Sequence, residues 1–181
     1  MAQLILGPTG SGKTTYINSL INKKIITYED LIFGFEIKKS FFKIWSKGKR
    51  ISKNSVVHYN ILNSFTDLNK IKENKFLKND KVLNNILSYK KVFDEVIIIV
   101  APINELILRA SVRKKIEKKI DGIYDKNFWI EVLKTIDLID IYDQLFDILE
   151  KLGIKYKILF SSANDFKRIN KDNILHNLKN I

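Results

Sequence analysis

Residues 7–15 read GPTGSGKTT, and this short stretch decides the fold. It matches the pattern G-x-x-x-x-G-K-[ST] in full, from Gly7 to Thr14. An apolar run at 2–6 predicts a strand before it, and an amphipathic pattern at about 12–24 predicts a helix after it. Glycines adopt backbone angles that other residues avoid, so several N–H groups can point at one anion beside the positive end of the helix. The stretch therefore predicts a phosphate-binding loop between a strand and a helix.

In this strand–loop–helix context the motif resembles the phosphate loop of the P-loop NTPase superfamily. The resemblance implies that Lys13 reaches the β- and γ-phosphates of a nucleoside triphosphate and that the Thr14 hydroxyl binds Mg²⁺. It implies ATP and Mg²⁺ as cofactors, with GTP left open. The residues implied in binding the triphosphate lie in the loop and the first helical turn: Gly7, Thr9, Gly10, Ser11, Gly12, Lys13, Thr14 and Thr15.

Short apolar runs alternate with amphipathic segments along the rest of the chain. Strands are predicted at 2–6, 25–28, 55–59, 92–101 and 155–160, and helices at 12–24, 36–46, 79–91, 104–119, 128–152 and 172–180. The run at 92–101 is continuous rather than alternating, as in a strand buried on both faces of a parallel sheet. The alternation predicts one domain over 1–181, an α/β protein with a three-layer α/β/α sandwich and a mostly parallel, P-loop kinase-like sheet.

A second segment, VIIIVAPINELILRASVRK at 96–114, is similar to a region of nucleoside-monophosphate and related kinases. There a buried strand is followed by proline, by Glu-Leu and by Arg-x-x-x-Arg at the entry to a lid. Arg109 and Arg113 are four residues apart, so both project from one face of a helix. The resemblance implies that the two arginines close over the transferring phosphoryl group, with a lid at 109–127.

The strand at 55–59 corresponds in these kinases to one that ends in an acidic residue, and here it ends in His58, Tyr59 and Asn60. His58 could accept a proton near neutral pH, and Asn60 could hold a metal-bound water but could not accept a proton. Asp30, where the acceptor-binding region of such kinases begins, is preferred over Asp67 as the acid. The predicted catalytic residues are therefore Lys13, Arg109, Arg113, Asp30, His58 and Asn60. Small residues at 161–164 predict either a loop against the base or an ordinary turn.

Composition limits the compartment and the partners. The net charge is +12, with only four arginines, and the lysines are scattered along the chain. This charge indicates either a polyanionic partner such as nucleic acid or a compositional bias toward Lys, Ile and Asn. Cysteine is absent and no apolar run approaches the roughly 20 residues that a membrane span needs. We expect a cytoplasmic protein without membrane contact, and no secretory leader.

These patterns predict an ATP-dependent phosphotransferase, a kinase for a small molecule or a nucleotide whose acceptor the sequence does not name. The missing strand-end acid favours a nucleotide-binding regulatory ATPase as one alternative. The positive charge favours a polynucleotide-end kinase or a nucleic-acid-binding NTPase as another. The D-x-x-G and N-K-x-D motifs of small GTPases are absent from the sequence.

Overall fold

The computed structural model describes residues 3–20, 24–27, 55–60, 93–112, 126–162 and 165–179. The strands in these ranges are β1 (Gln3–Gly7), β2 (Lys24–Thr27), β3 (Ser55–Asn60), β4 (Glu95–Val100), β5 (Tyr156–Ser162) and β6 (Asp165–Ile169). The helices are α1 (Lys13–Asn18), α2 (Ile103–Val112), α3 (Lys126–Thr135), α4 (Leu138–Lys151) and α5 (Ile174–Lys179), with a 3₁₀ turn at Lys171–Asn173 before α5.

The six strands form one sheet in the order β2-β3-β1-β4-β5-β6. All neighbours are parallel except β5 and β6, which are antiparallel. Every residue of β1 and β4 is buried, which explains why their apolar runs are continuous. Full burial of one such Leu or Ile side chain contributes about 1.5–3 kcal/mol. The strand that precedes the loop, β1, therefore lies at the centre of the sheet, where it is buried and paired with a strand on each side.

Helices cover both faces of the sheet, as a three-layer sandwich requires. On one face Ile5, Ile97 and Ile99 pack with Ile17 of α1. The other face carries the larger core, to which α2, α3, α4 and α5 contribute buried side chains; it includes Leu4, Ile98, Leu106, Val132, Tyr142 and Ile174. The predicted α/β sandwich with a mostly parallel sheet is confirmed.

The single long helix predicted at 128–152 is wrong, because α3 and α4 are separate helices. The Asp137 side chain accepts hydrogen bonds from the backbone N–H groups of Ile139 at 3.1 Å and Asp140 at 3.0 Å, which makes it the N-cap of α4. An N-cap residue is extended rather than helical, so the chain turns there. The apolar spacing continues across the break, and this masked it in the sequence.

Helix α1 and strand β6 also differ from the sequence prediction. Helix α1 ends at Asn18 and not near residue 24, which lies in β2. Strand β6 was missed because its residues, DFKRI, are mostly polar, as an edge strand outside the buried centre permits. The C-cap of α4 is Leu152, and Gly153, which was predicted as the C-cap, is the residue that follows it; its φ is +61° and its N–H donates to the Glu150 carbonyl. The helices predicted at 36–46 and 79–91 lie outside the described residues. No helix within the described ranges is long and apolar enough to span a membrane.

Candidate phosphate-binding site

The segment between β1 and α1 forms a tight turn that only glycine can build. Gly10 and Gly12 have φ angles of +83° and +89°. A Cβ at Gly10 would lie 2.8 Å from the backbone carbonyl oxygen of Leu106. At Gly12 it would lie 3.0 Å from the Ser161 hydroxyl and 3.3 Å from the Phe166 ring. The loop therefore needs both the backbone angles and the small size of glycine at these two positions.

Helix α1 begins directly after this turn, with Gly12 as its N-cap in the left-handed conformation. No side chain within the described residues caps its first amides, and the Tyr16 N–H donates to the Gly12 carbonyl at 2.9 Å. The loop and the start of α1 thus bring several backbone N–H groups together at the carboxyl end of β1, an arrangement that suits an anion.

Lys13 folds back over the loop. Its side chain is only 8% exposed, and its Nζ donates to the carbonyl of Gly7 at 2.9 Å and to that of Pro8 at 2.7 Å. These bonds fix a positive charge against the loop backbone. Thr14 and Thr15 are exposed on the first turn of α1, so the hydroxyl predicted to bind Mg²⁺ is accessible.

Two other residues that are predicted to bind the triphosphate are buried in the protein. Thr9 is 5% exposed and Ser11 is fully buried. The Ser11 N–H donates to the Pro8 carbonyl at 3.2 Å, which closes the turn. A role of these two residues in binding would therefore depend on their backbone and not on their side chains.

Arg109 reaches the loop from α2. Its Nη1 donates to the Gly10 carbonyl at 3.2 Å and to the Ser161 Oγ at 3.0 Å, and its Nη2 binds Glu105 one turn earlier in α2. The Ser162 Oγ donates to the other oxygen of Glu105 at 3.4 Å. The resemblance to kinases implies that Arg109 lies over the transferring phosphoryl group, whereas in the structure its guanidinium is bound to the loop backbone and to the end of β5.

The remaining predicted site residues are only partly described. The backbone of Asn60, at the carboxyl end of β3, is in register with Gly7, and that of His58 is in register with Ile5. Asn60 therefore lies beside the start of the loop. His58 lies two residues earlier in β3, away from this edge of the sheet. Asp30 and Arg113 lie outside the described residues, as does most of the lid predicted at 109–127, of which 109–112 belong to α2.

The sequence pattern assigned no role in binding or transfer to Glu105 or Phe166, and it predicted Ser161 and Ser162 in a loop against the base or in an ordinary turn. The spacing of Glu105 and Arg109 was a usable signal, because charges of opposite sign four residues apart meet on a helix face. Ser161 and Ser162 belong to β5 and not to the loop that was predicted after it. Phe166 lies on β6, so its approach to Gly12 depended on a strand that the sequence did not reveal.

The described part of the chain holds no group of three or more Asp, Glu or His side chains that could bind a metal ion. A surface cavity of about 400 Å³ is lined by residues that include Ala101, Ile103, Asp137 and Leu178. None of the residues that line it belongs to the phosphate loop, so this cavity is separate from the site.

No protein-family model matches the sequence, and no curated protein matches it. The structure is similar to deoxyadenosine kinase from M. mycoides with bound dATP, at a TM-score of 0.45 and 17% identity over 87% of this chain and 90% of that one. The same kinase with bound dCTP matches at a TM-score of 0.44 and 16% identity over 100% of both chains. Shikimate kinase from Bacteroides thetaiotaomicron matches at a TM-score of 0.41 and 12% identity, covering 91% of this chain and 88% of that one.

The fold of the chain is similar to that of these kinases. In the chain itself it consists of a mostly parallel sheet in the order β2-β3-β1-β4-β5-β6, with β1 parallel to both of its neighbours and a glycine loop before α1. These three structures are 12–17% identical to the chain, so its ligands have to be inferred from its own site.

Proposed function

We propose that this protein is an ATP-dependent phosphotransferase that acts on a small molecule or a nucleotide. The observation that carries the proposal is the loop itself: two glycines with positive φ, an uncapped helix start and a lysine amine held across the loop carbonyls. Backbone amides and a fixed ammonium group are what a triphosphate needs from a protein. Phosphoryl transfer depends mainly on such positioning and charge neutralisation.

In this proposal Lys13 and the loop amides hold the β- and γ-phosphates, and the exposed Thr14 hydroxyl is the protein's ligand to Mg²⁺. Magnesium usually keeps several water molecules and takes few protein ligands besides the phosphates, so a site with one hydroxyl fits it. When bound, the ion neutralises charge that develops between the β- and γ-phosphates. The chain's own part is to fix the triphosphate relative to the acceptor.

The acceptor side of the site is proposed from Asn60 and His58 of β3 and from Asp30 and Arg113, which lie outside the described residues. Asn60 is the last residue of β3 and is in register with Gly7. This position suits contact with the transferring group or with a metal-bound water. We assign proton acceptance to Asp30 or His58, and charge neutralisation over the phosphoryl group to Arg113. Substitution of each residue in turn tests these assignments. Loss of turnover with unchanged ATP affinity is the expected result for a residue that acts in transfer.

A nucleotide-binding regulatory ATPase is the second candidate. Of the described strands next to the loop, β1, β3 and β4 end in Gly7, Asn60 and Val100, none of them acidic. Glu105 is a carboxylate close to the loop, and it binds Arg109 and Ser162. A protein that only binds ATP and changes state does not need a base at these positions.

The test is ADP release from Mg²⁺-ATP, with the protein alone and with a panel of nucleosides, nucleotides, sugars, hydroxy acids and oligonucleotide 5′ ends. Release that depends on one acceptor supports the kinase and names its substrate. Release that depends on oligonucleotide ends indicates a polynucleotide-end kinase. Tight ATP binding that no acceptor converts into turnover favours the regulatory ATPase.

Lys13→Ala is the matching variant, and Lys155→Ala is its control, because Lys155 is an exposed lysine outside the loop. We expect Lys13→Ala to reduce turnover roughly 100-fold or more, as for other groups that stabilise developing charge. Lys155→Ala should retain wild-type turnover. Wild-type turnover in Lys13→Ala would exclude the phosphate loop as the site.

A further inference from the structure

Arg109 links the phosphate loop to two rigid elements, α2 and β5. We propose that Arg109 is a positioning residue that holds the loop in its triphosphate-binding conformation, and that Glu105 and Ser161 hold Arg109 in place. This inference rests on the proposed function, since it concerns the same loop. It gives Arg109 a role that differs from contact with the transferring phosphoryl group.

The peptide group between Gly10 and Ser11 is held on both sides. Its carbonyl accepts from Arg109 at 3.2 Å, and its N–H donates to the Pro8 carbonyl at 3.2 Å. In a planar trans peptide these two groups point in opposite directions, so fixing one fixes the other. Glycine gives this segment many other conformations, and the two bonds select one of them.

The same bonds connect Arg109 to Lys13. The Pro8 carbonyl that accepts from the Ser11 N–H also accepts from the Lys13 Nζ at 2.7 Å. A chain of hydrogen bonds thus runs from the guanidinium through one peptide group to the amine that is proposed to bind the phosphates. Neighbouring hydrogen bonds in such chains polarise and orient one another. Loss of Arg109 should therefore loosen both the turn and the anchor of Lys13.

Arg109 is itself fixed by its neighbours. The side chains of Arg109 and Glu105 are each 25% exposed, and they pair across one turn of α2. The Ser161 hydroxyl accepts from Nη1 at 3.0 Å and also lies against Gly12, the second glycine with positive φ. One planar guanidinium group can meet all three partners at once, which a lysine amine on a flexible stem does not do.

These contacts occupy the guanidinium on the side of the loop. Nη1 is shared between Gly10 and Ser161, and Nη2 is bound to a carboxylate that offsets its charge. Three hydrogen bonds hold the guanidinium, and two of them fix Nη1 to the loop and to the end of β5. In the proposal Arg109 acts on the triphosphate through the loop, so its effect should be the same for every ligand that the loop binds.

The experiment measures the Kd of ATP, ADP and inorganic tripolyphosphate for the wild type, Arg109→Gln and the control Arg168→Gln. Arg168 is an exposed arginine on β6, so the control removes an equal charge away from the contacts of Arg109. We expect Arg109→Gln to raise all three Kd values by a common factor of about ten or more, the scale of a lost charged hydrogen bond. Arg168→Gln should leave all three close to wild type.

Glu105→Gln tests how Arg109 is held, because Glu105 contacts Arg109 and Ser162. We expect a smaller common increase in Kd, and no further increase when the substitution is added to Arg109→Gln, since coupled residues are not additive. In turnover measurements KM should rise while kcat is retained, which separates positioning of the loop from transition-state contact. If Arg109→Gln does not fold, Ser161→Ala removes a single hydroxyl and should raise the three Kd values in the same ratio.

Three results would overturn the inference. A larger loss for ATP than for ADP would place Arg109 on the γ-phosphate. A loss confined to ATP and ADP and absent for tripolyphosphate would place it on the base. Unchanged Kd values with lower stability to urea would make Arg109 a purely structural residue. A wild type that binds none of the three ligands would overturn the proposed function as well, so the two failures are distinguishable.

Discussion

Gly10→Ala is the substitution that tests the loop most directly. Gly10 has a φ of +83°, and a Cβ placed on it would lie 2.8 Å from the Leu106 carbonyl oxygen and 3.3 Å from the Leu106 Cα. Both are backbone atoms of α2, so no side chain can rotate away to make room. The loop must move from the helix, and the bond between the Gly10 carbonyl and Arg109 is then lost or lengthened.

Two free-energy terms add in this variant. The left-handed conformation costs a residue with a Cβ about 1–2 kcal/mol. Overpacking against atoms that cannot rearrange costs about 1–3 kcal/mol more. Gly153→Ala separates the terms, because Gly153 has a φ of +61° at the end of α4 and lies outside the loop. The control should lose about 1–2 kcal/mol of unfolding free energy, and Gly10→Ala about 2–5 kcal/mol.

Urea denaturation measures the stability of both variants, and isothermal titration calorimetry measures their affinity for ATP. We expect the Kd of Gly10→Ala to rise at least about tenfold, because the displaced loop no longer aligns its amides. The Kd of Gly153→Ala should equal that of the wild type. If the two variants match each other in both stability and affinity, the close contact with α2 does not shape the binding loop, and the reasoning is refuted.

Three further predictions concern the scaffold. Asp137→Ala should lose about 1 kcal/mol of unfolding free energy in urea, since it removes the N-cap of α4, and an unchanged midpoint would contradict that role. Tyr142→Phe should be neutral or stabilising by up to about 1 kcal/mol in the same assay, because its buried hydroxyl has no hydrogen-bond partner among the described residues. Asp147→Asn should lower the melting temperature at neutral pH, because the hydrogen bond from Lys171, and then its charge, lowers the pKa of Asp147. That difference should vanish as the pH falls through the lowered pKa of the folded state, and a difference that persists in acid would exclude the pair as its cause.

The conformation of the glycine loop is predictable from the sequence, because it depends on the backbone angles of consecutive residues. The glycine loop and its lysine are formed by nine consecutive residues, 7–15, so the residues that meet in space are also neighbours in the sequence. The environment of Arg109 was not predictable in this way. Its partners Gly10 and Ser161 are 99 and 52 residues away in the chain, and they meet only when the sheet brings β1, β4 and β5 together.

By itself the amino-acid sequence determined the α/β class, the buried parallel strands and the glycine loop between β1 and α1, since each depends on composition and spacing over a few neighbouring residues. Tertiary structure alone decided that β6 forms one edge of the sheet, that Phe166 packs against Gly12, and that Arg109 is bound to the loop. The physical reason is that these features are contacts between distant segments. Their energy depends on which strands become neighbours, and a local pattern carries no record of that.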